Sequence, residues 1–158
     1  YDMFSIGDVT VSGNSTFHAF IETHGGRVDD EAMSATGISL EDMKRKGSPP
    51  SVVIASFARW VQENTPEGAD PVFVGFNAAF DWSFINYYFI KYAGVNPFGF
   101  AALDIKSLYM GKFATSWKDT RSSKIDAVLE TRQVPDHNAL HDALYQAELF
   151  RRIINLQH

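Results

Sequence analysis

The sequence has 158 residues, enough for one domain with a sizeable core, and no apolar run long enough to span a bilayer. Hydrophobic residues make up 45% and charged residues 21%, as in ordinary globular proteins, and the formal net charge of −5 argues against broad electrostatic capture of duplex nucleic acid. Because the sequence contains no cysteine, it excludes disulfides and thiolate zinc sites, and this composition fits a cytoplasmic protein.

The predicted elements begin with two strands, Met3–Val11 and Thr16–Thr23, which a short turn containing Gly13 joins as an antiparallel pair. A polar connection follows, in which Asp29–Ala35 is expected to form a helical turn. Ser51–Glu63 then has the apolar periodicity of an amphipathic helix.

The stretch Val72–Phe89 carries the first informative signal. It opens with apolar residues typical of a buried strand, after which Asn77 can cap a helix. Asp81 lies in the first turn of that helix, among many aromatic residues. A carboxylate there costs free energy unless it is exposed, paired or bound to a metal. A solvated surface role and a functional role for Asp81 therefore both remain open.

The second half of the chain continues with a strand and three helices. Their predicted ranges are Phe100–Ile105 for the strand and Lys106–Met110, Ile125–Leu129 and Asn138–Leu156 for the helices. We interpret Asp104 as a helix cap and not as a catalytic acid. The order of elements predicts one α/β domain over residues 1–158, a mixed β-sheet flanked by helices. Ligands of such sheets lie beyond the carboxyl ends of the strands, close to Asp81.

A polar segment before the last helix holds the one basic concentration of note. Its members are Lys112, Lys118, Arg121 and Lys124. Such a run is ordinarily a solvated loop, and its alternative role is to attract phosphate groups.

The second informative unit contains His137, His141 and Asp142. The two histidines have the spacing of some zinc sites, but no further histidine or cysteine lies near them, which argues against zinc. The alternative pairs His137 with Asp142. Residues five apart do not share a helix face, but a His137 in the loop before the helix can fold over the site that Asp142 reaches. A carboxylate can hold a hard cation, and a neutral imidazole can take a proton from water.

Together these two units resemble motifs of the DEDDh exonucleases, the DnaQ-like group of proofreading exonucleases, ribonuclease T and oligoribonucleases. The stretch Asn77–Asp81 is similar to the second motif and His137–Ala143 to the third. The resemblance runs across nearly the whole chain and implies a ribonuclease H-like exonuclease fold. The first motif, an Asp-x-Glu on the first strand, is missing. We therefore expect an N-terminally incomplete domain that lacks this strand, with a gap in the sheet beside Met3–Val11.

The resemblance implies a 3′-to-5′ exonuclease that cleaves single-stranded DNA or RNA ends with two Mg²⁺ or Mn²⁺ ions. Asp142 would hold one metal ion directly, Asp81 would act on the second, and His137 would accept a proton from the attacking water. Further candidates, for substrate binding, are Phe76, Asn77, Phe80 and Phe84. The alternative for the aromatic ones is a place in the helix core.

Two other functions remain open from the sequence. A domain without the first motif is expected to be inactive and to bind nucleic-acid ends or a protein partner. A purely structural α/β domain would use its carboxylates only as caps and solvated charges. The resemblance also admits a homodimer. For the chain in hand we expect no activity, since Asp81 and Asp142 are only two of the four metal-site carboxylates.

Overall fold

The computed structural model describes residues 3, 5–22, 45–132 and 136–156. Within them, strand β1 (Ser5–Val9) pairs antiparallel with β2 (Thr16–Phe20), as predicted. Strand β3 (Phe73–Gly75) pairs parallel with β4 (Ala102–Asp104). The helical turn predicted at Asp29–Ala35 lies outside the described residues.

The four strands form two separate two-stranded sheets, one of β1 and β2 and the other of β3 and β4. Among the described strands, none pairs with the second edge of β1 or of β3. The missing first strand expected from the sequence stays a prediction.

Five α-helices lie within the described ranges. In chain order they are α1 (Pro50–Asn64), α2 (Ala78–Ala93), α3 (Ile105–Phe113), α4 (Ser122–Leu129) and α5 (Ala139–Asn155). A 3₁₀ turn, Trp117–Asp119, connects α3 to α4. In the described residues no helix combines the length and the apolar character that crossing a membrane requires.

The predicted strand Phe100–Ile105 is longer than the observed one. Phe100 is 96% exposed and precedes the strand, whereas Ile105 is already the first residue of α3. The strand ends early because the Asp104 side chain accepts a hydrogen bond from the Ser107 N–H and so starts the helix.

Apolar side chains form two clusters. The first joins β1, β2, α1 and α2 around Phe57, whose ring lies 4.9 Å from that of Phe17 and 5.5 Å from that of Phe89. The second joins α3, α4 and α5 through fully buried side chains that include Ile105 and Leu149. Burial of these side chains supplies most of the free energy that holds the helices in place.

Helix α5 contacts β1 at Gly7. A Cβ atom on Gly7 would lie 2.1 Å from the carbonyl carbon of Ala139 and 2.3 Å from the amide nitrogen of Leu140. Any side chain would therefore collide with backbone, and only glycine fits. This contact sets the first turn of α5, which carries Asp142, directly against β1.

Candidate functional site

Asp81 and Asp142 come together from different helices. Each stands in the first turn of its helix, Asp81 in α2 and Asp142 in α5. The pKa of Asp81 is raised, chiefly because burial removes its carboxyl from water and further because the Asp142 charge lies nearby, with a backbone hydrogen bond opposing. The two carboxylates are thus within electrostatic reach of each other, as a shared cleft requires.

A pair of neighbouring carboxylates favours a cation between them, because the cation cancels their mutual repulsion. The oxygen ligands suit a hard divalent ion in kind but not in number, since such ions take six or more ligands. In the ranges that the structure describes, no group of three histidine or acidic side chains is arranged to hold a metal ion. Asp81 and Asp142 alone are therefore an incomplete metal site.

The loop before α5 is tied to the first turn of that helix. The Asn138 side chain caps the helix by accepting from the N–H groups of Leu140 (3.0 Å) and His141 (3.4 Å). The Asp136 N–H donates to Asp142 Oδ1 at 3.2 Å. The Asp136 carboxylate in turn lies 2.7 Å from His141 Nδ1, and this contact holds the pKa of Asp136 below its usual value. His141 is thus paired with an acid, and the structure offers no support for a zinc pair with His137.

His137 lies in the loop one residue before the helix cap, where the sequence analysis places it. Its φ of 65° is left-handed, which is uncommon for a residue other than glycine. A hydrogen bond from Asn138 N–H to Asp136 Oδ1 (3.0 Å) closes a turn around it. The imidazole is exposed, and no hydrogen bond joins it to Asp81 or Asp142 among the described residues.

Asp104 has a larger structural role than the sequence predicts. Its Oδ1 accepts from Ser107 N–H at 2.8 Å and its Oδ2 from Ala78 N–H at 2.8 Å, so one carboxylate caps both α3 and α2. These bonds, together with the Lys106 charge, lower the pKa of Asp104 even though desolvation, the largest single effect, opposes them. The cap predicted at Asn77 is wrong. Asn77 has a left-handed φ of 62° instead of the extended backbone of a capping residue, and its side chain makes no cap bond.

Gln146 is a site residue that the sequence analysis missed. Its side-chain oxygen accepts from the Phe76 N–H at 2.9 Å, which joins the end of β3 to α5. The available signal was its spacing, because Gln146 lies four residues after Asp142 and so shares its helix face.

The aromatic substrate-binding candidates have different surroundings. Phe80 is 63% exposed and meets Phe84 edge-on at 5.3 Å, so the helix-core alternative is wrong for Phe80. Phe76 is half-buried against the second apolar cluster, and Asn77 is exposed beside it. Both follow the carboxyl end of β3.

Comparison with known proteins gives matches over nearly the whole chain. A family model described as an exonuclease, RNase_T, matches residues 3–150. The 3′-5′ DNA exonuclease Cap18 of Escherichia coli is 48% identical over 157 residues, which cover 99% of this chain and 84% of that protein.

Solved structures match in fold. The nuclease domain of 3′hExo, a DEDDh family member bound to rAMP, has a TM-score of 0.72 at 15% identity over 92% of this chain and 76% of its own. A 3′-exonuclease solved for 3′-end specific recognition of a histone mRNA stem-loop has a TM-score of 0.76 at 15% identity, covering 97% of this chain. This chain spans only 56% of that protein's length. These matches confirm the ribonuclease H-like exonuclease fold expected from the sequence.

Proposed function

This chain belongs to the exonuclease family, and on that premise we propose that the complete protein is a 3′-to-5′ exonuclease acting on single-stranded nucleic acid. The observation that carries the proposal is the hydrogen bond from Phe76 N–H to the Gln146 side chain, because it joins the end of β3, just before α2 and its Asp81, to α5, which carries Asp142. DNA ends are the first substrate to test, because the 48% identical relative is named a DNA exonuclease. RNA ends are the alternative. That name also argues against the inactive binding module.

Members of this family use divalent metal ions. We propose Mg²⁺ or Mn²⁺, with Asp142 as a direct ligand and Asp81 acting on a second ion through water. When bound, such ions stabilise charge on the phosphate oxygens as they react. The remaining ligands would come from residues other than those described, since Asp81 and Asp142 are too few.

We propose His137 as the general base. The imidazole takes a proton from water, the water oxygen forms a bond to phosphorus, and the bond to the 3′-oxygen of the preceding nucleotide breaks. The released 3′-oxygen takes a proton from solvent. Support comes from the loop that carries His137, since Asp136 in that loop donates its N–H to Asp142. The exposed imidazole is also accessible to water.

We also propose a cytoplasmic location and a homodimer. The sequence has no cysteine, which suits a reducing compartment. The homodimer rests on the family resemblance.

The assigned roles are tested by His137→Ala and Asp142→Asn in the complete protein. His137→Ala should keep metal binding and reduce kcat by about 10²–10⁴-fold, because only proton transfer is lost. Asp142→Asn should weaken binding of Mn²⁺, measured by titration calorimetry. Cleavage is measured on a single-stranded oligonucleotide and on RNA of the same sequence, with Mg²⁺, with Mn²⁺ and with EDTA.

The matched control is Asp70→Asn, which changes an exposed aspartate in a loop. It should retain wild-type kcat and metal affinity. Small and equal effects of His137→Ala and Asp142→Asn would contradict the two roles. Cleavage that persists in EDTA would contradict the metal dependence.

A further inference from the structure

Lys106, Trp117 and Phe76 form a cluster that the proposed reaction does not use. The Lys106 Nζ atom lies 4.2 Å from the centroid of the Trp117 ring and 5.8 Å from that of Phe76. An ammonium group over an aromatic face is attracted by the quadrupole of the ring. The cluster therefore holds a positive charge between two rings, and we call it the Lys106 cluster.

The Lys106 cluster lies at the same edge of the sheet as the candidate catalytic residues. Lys106 is the second residue of α3, which follows β4 directly. The Asp104 carboxylate accepts from Ala78 N–H of α2 and from Ser107 N–H of α3, each at 2.8 Å. The first turns of these two helices are therefore neighbours, and Asp81 lies in the first turn of α2.

Trp117 is held in place and yet accessible. Its side chain is 51% exposed although Lys106 covers part of the ring. Its 3₁₀ turn is fixed by Asp119, which accepts from Ser116 Oγ at 2.6 Å and forms an ion pair with Lys124. An exposed indole on an ordered turn contributes little to the core and offers a flat face to a ligand.

The basic run noted in the sequence divides into two parts. Lys112 Nζ donates to the carbonyl of Ile153 at 2.6 Å, and Lys124 pairs with Asp119, so both have structural partners. The side chains of Lys118 and Arg121 are exposed and form no hydrogen bond or ion pair with another described residue. Lys118 follows Trp117 directly and adds a second cation beside the Lys106 cluster.

Building on the proposed nuclease function, we propose that the Lys106 cluster binds a nucleotide of the same single strand whose 3′ end binds at Asp81 and Asp142. The exposed part of Trp117 stacks on the base, and Lys106 binds the adjoining phosphate. Stacking tolerates any sequence because every base has a π-face. An ammonium already held between rings loses little conformational freedom on binding. A duplex hides the faces of its bases, so the site selects single strands.

The test uses Trp117→Ala, Trp117→Phe and Lys106→Met in the complete protein. Binding of a fluorescein-labelled single-stranded oligonucleotide is followed by fluorescence anisotropy in EDTA, which stops cleavage. Trp117→Ala should weaken binding by about 5- to 100-fold, while Trp117→Phe keeps a stacking face and should retain most of the affinity. Lys106→Met should reduce the slope of log K against log salt concentration by about 0.7, the value for one phosphate contact on a single strand.

Two variants elsewhere serve as matched controls. Lys91 Nζ also lies over aromatic rings, 5.2 Å from Tyr87 and 5.0 Å from Tyr92, so Lys91→Met removes an equivalent cation. Phe100→Ala removes a 96% exposed aromatic side chain. Both should bind the oligonucleotide like the wild type. Thermal unfolding midpoints check that every variant is folded.

Two further readouts separate binding from a structural effect. Unlabelled oligonucleotide should quench tryptophan fluorescence in the wild type and lose most of that effect in Trp117→Phe, although Trp60 and Trp82 remain. In the cleavage assay, KM should rise in Trp117→Ala and Lys106→Met, while their kcat should stay near the wild-type value. The variants should lose affinity for single-stranded RNA as they do for single-stranded DNA. Their affinity for a duplex should equal that of the wild type.

The outcomes distinguish this inference from the proposed function. If the wild type trims 3′ ends but Trp117→Ala and Lys106→Met bind like Lys91→Met, the site is overturned and the nuclease function stands. If the wild type cleaves no single strand with any divalent ion, the nuclease function fails. Loss of binding in Trp117→Ala would then still support a single-strand site.

Discussion

Asp8 is an acidic residue in the middle of β1 that has no part in the proposed reaction. Its carboxyl accepts a hydrogen bond from the Val9 N–H at 2.7 Å, which favours the charged form. Burial of the carboxyl outweighs this bond and raises the pKa of Asp8 to about 7. Folding therefore stabilises the protonated form of Asp8, which is unusual for an aspartate.

Asp8 should make stability depend on pH. In the unfolded chain it loses its proton near pH 4, whereas the folded protein holds the proton up to about pH 7. The folded state therefore binds more protons between these values, and stability should fall as pH rises through this window. The asparagine in Asp8→Asn cannot ionise. Above pH 7 the unfolding free energy of this variant should therefore exceed that of the wild type by about 2–4 kcal/mol.

Urea unfolding at about pH 5 and about pH 8 measures this effect. The difference in unfolding free energy between the two pH values should be smaller in Asp8→Asn than in the wild type. Parallel pH profiles for the two proteins would show that the carboxyl is solvated.

Individual site residues differ in how far the sequence reveals them. Asp81 and Asp142 stand in ordered motifs, so their approach is expected. The second bond of Asp104 joins residues 26 positions apart and depends on the pairing of β3 with β4, which no local pattern encodes. For the same reason the capping bond that a local pattern predicts for Asn77 is made instead by the distant Asp104 carboxylate.

At the level of elements, Gly7 controls how α5 approaches β1. Gly7→Ala would force a Cβ atom to 2.1 Å from Ala139 backbone, and backbone cannot move aside as a flexible side chain can. We expect a loss of about 3 kcal/mol or more in unfolding free energy, together with reduced activity because the turn carrying Asp142 shifts.

Gly111→Ala is the matched control for this change. Gly111 lies inside α3, and a Cβ atom there would meet nothing within 4 Å. Since alanine favours helix over glycine by about 0.5–1 kcal/mol, this variant should be neutral or slightly more stable. Urea denaturation gives the unfolding free energy of both variants. An equal change in Gly7→Ala and Gly111→Ala would refute the close approach at Gly7.

The sequence predicts the presence of the elements better than their buried faces. Every helix predicted within the described residues exists, because caps, prolines and apolar periodicity are local. Helix α2 is apolar on most sides, so its pattern does not tell which face is buried. Contact with α1 decides this, burying Phe89 completely and leaving Phe80 63% exposed.

At the scale of the whole molecule, the separation of the two sheets is the main feature. The outer edges of β1 and β3 have no strand partner among the described residues, and unpaired edges invite further strands. We propose that a strand with the missing carboxylates fills this gap. The two apolar clusters arise from packing that no single motif encodes.

The 158-residue chain should therefore lack nuclease activity even with Mn²⁺, because Asp81 and Asp142 can hold at most one ion weakly. A chain extended at its N-terminus by a strand that carries Asp-x-Glu should gain both stability and cleavage. Parallel assays of the two chains on single-stranded DNA and RNA test this. EDTA-sensitive trimming of 3′ ends by the 158-residue chain would show that the metal site lies elsewhere.

The two apolar clusters also bear on how the protein is made. Among the described residues, the first cluster lies entirely between Met3 and Phe98, whereas the second extends to Ile153. On a ribosome that adds about 5–20 residues per second, roughly 3–10 seconds pass between the synthesis of Phe98 and the end of α5. During that time β1 can join the first cluster, but α5, which packs on Gly7, has not yet been synthesised. The side of β1 that Gly7 presents to α5 therefore stays uncovered until the last helix has been synthesised.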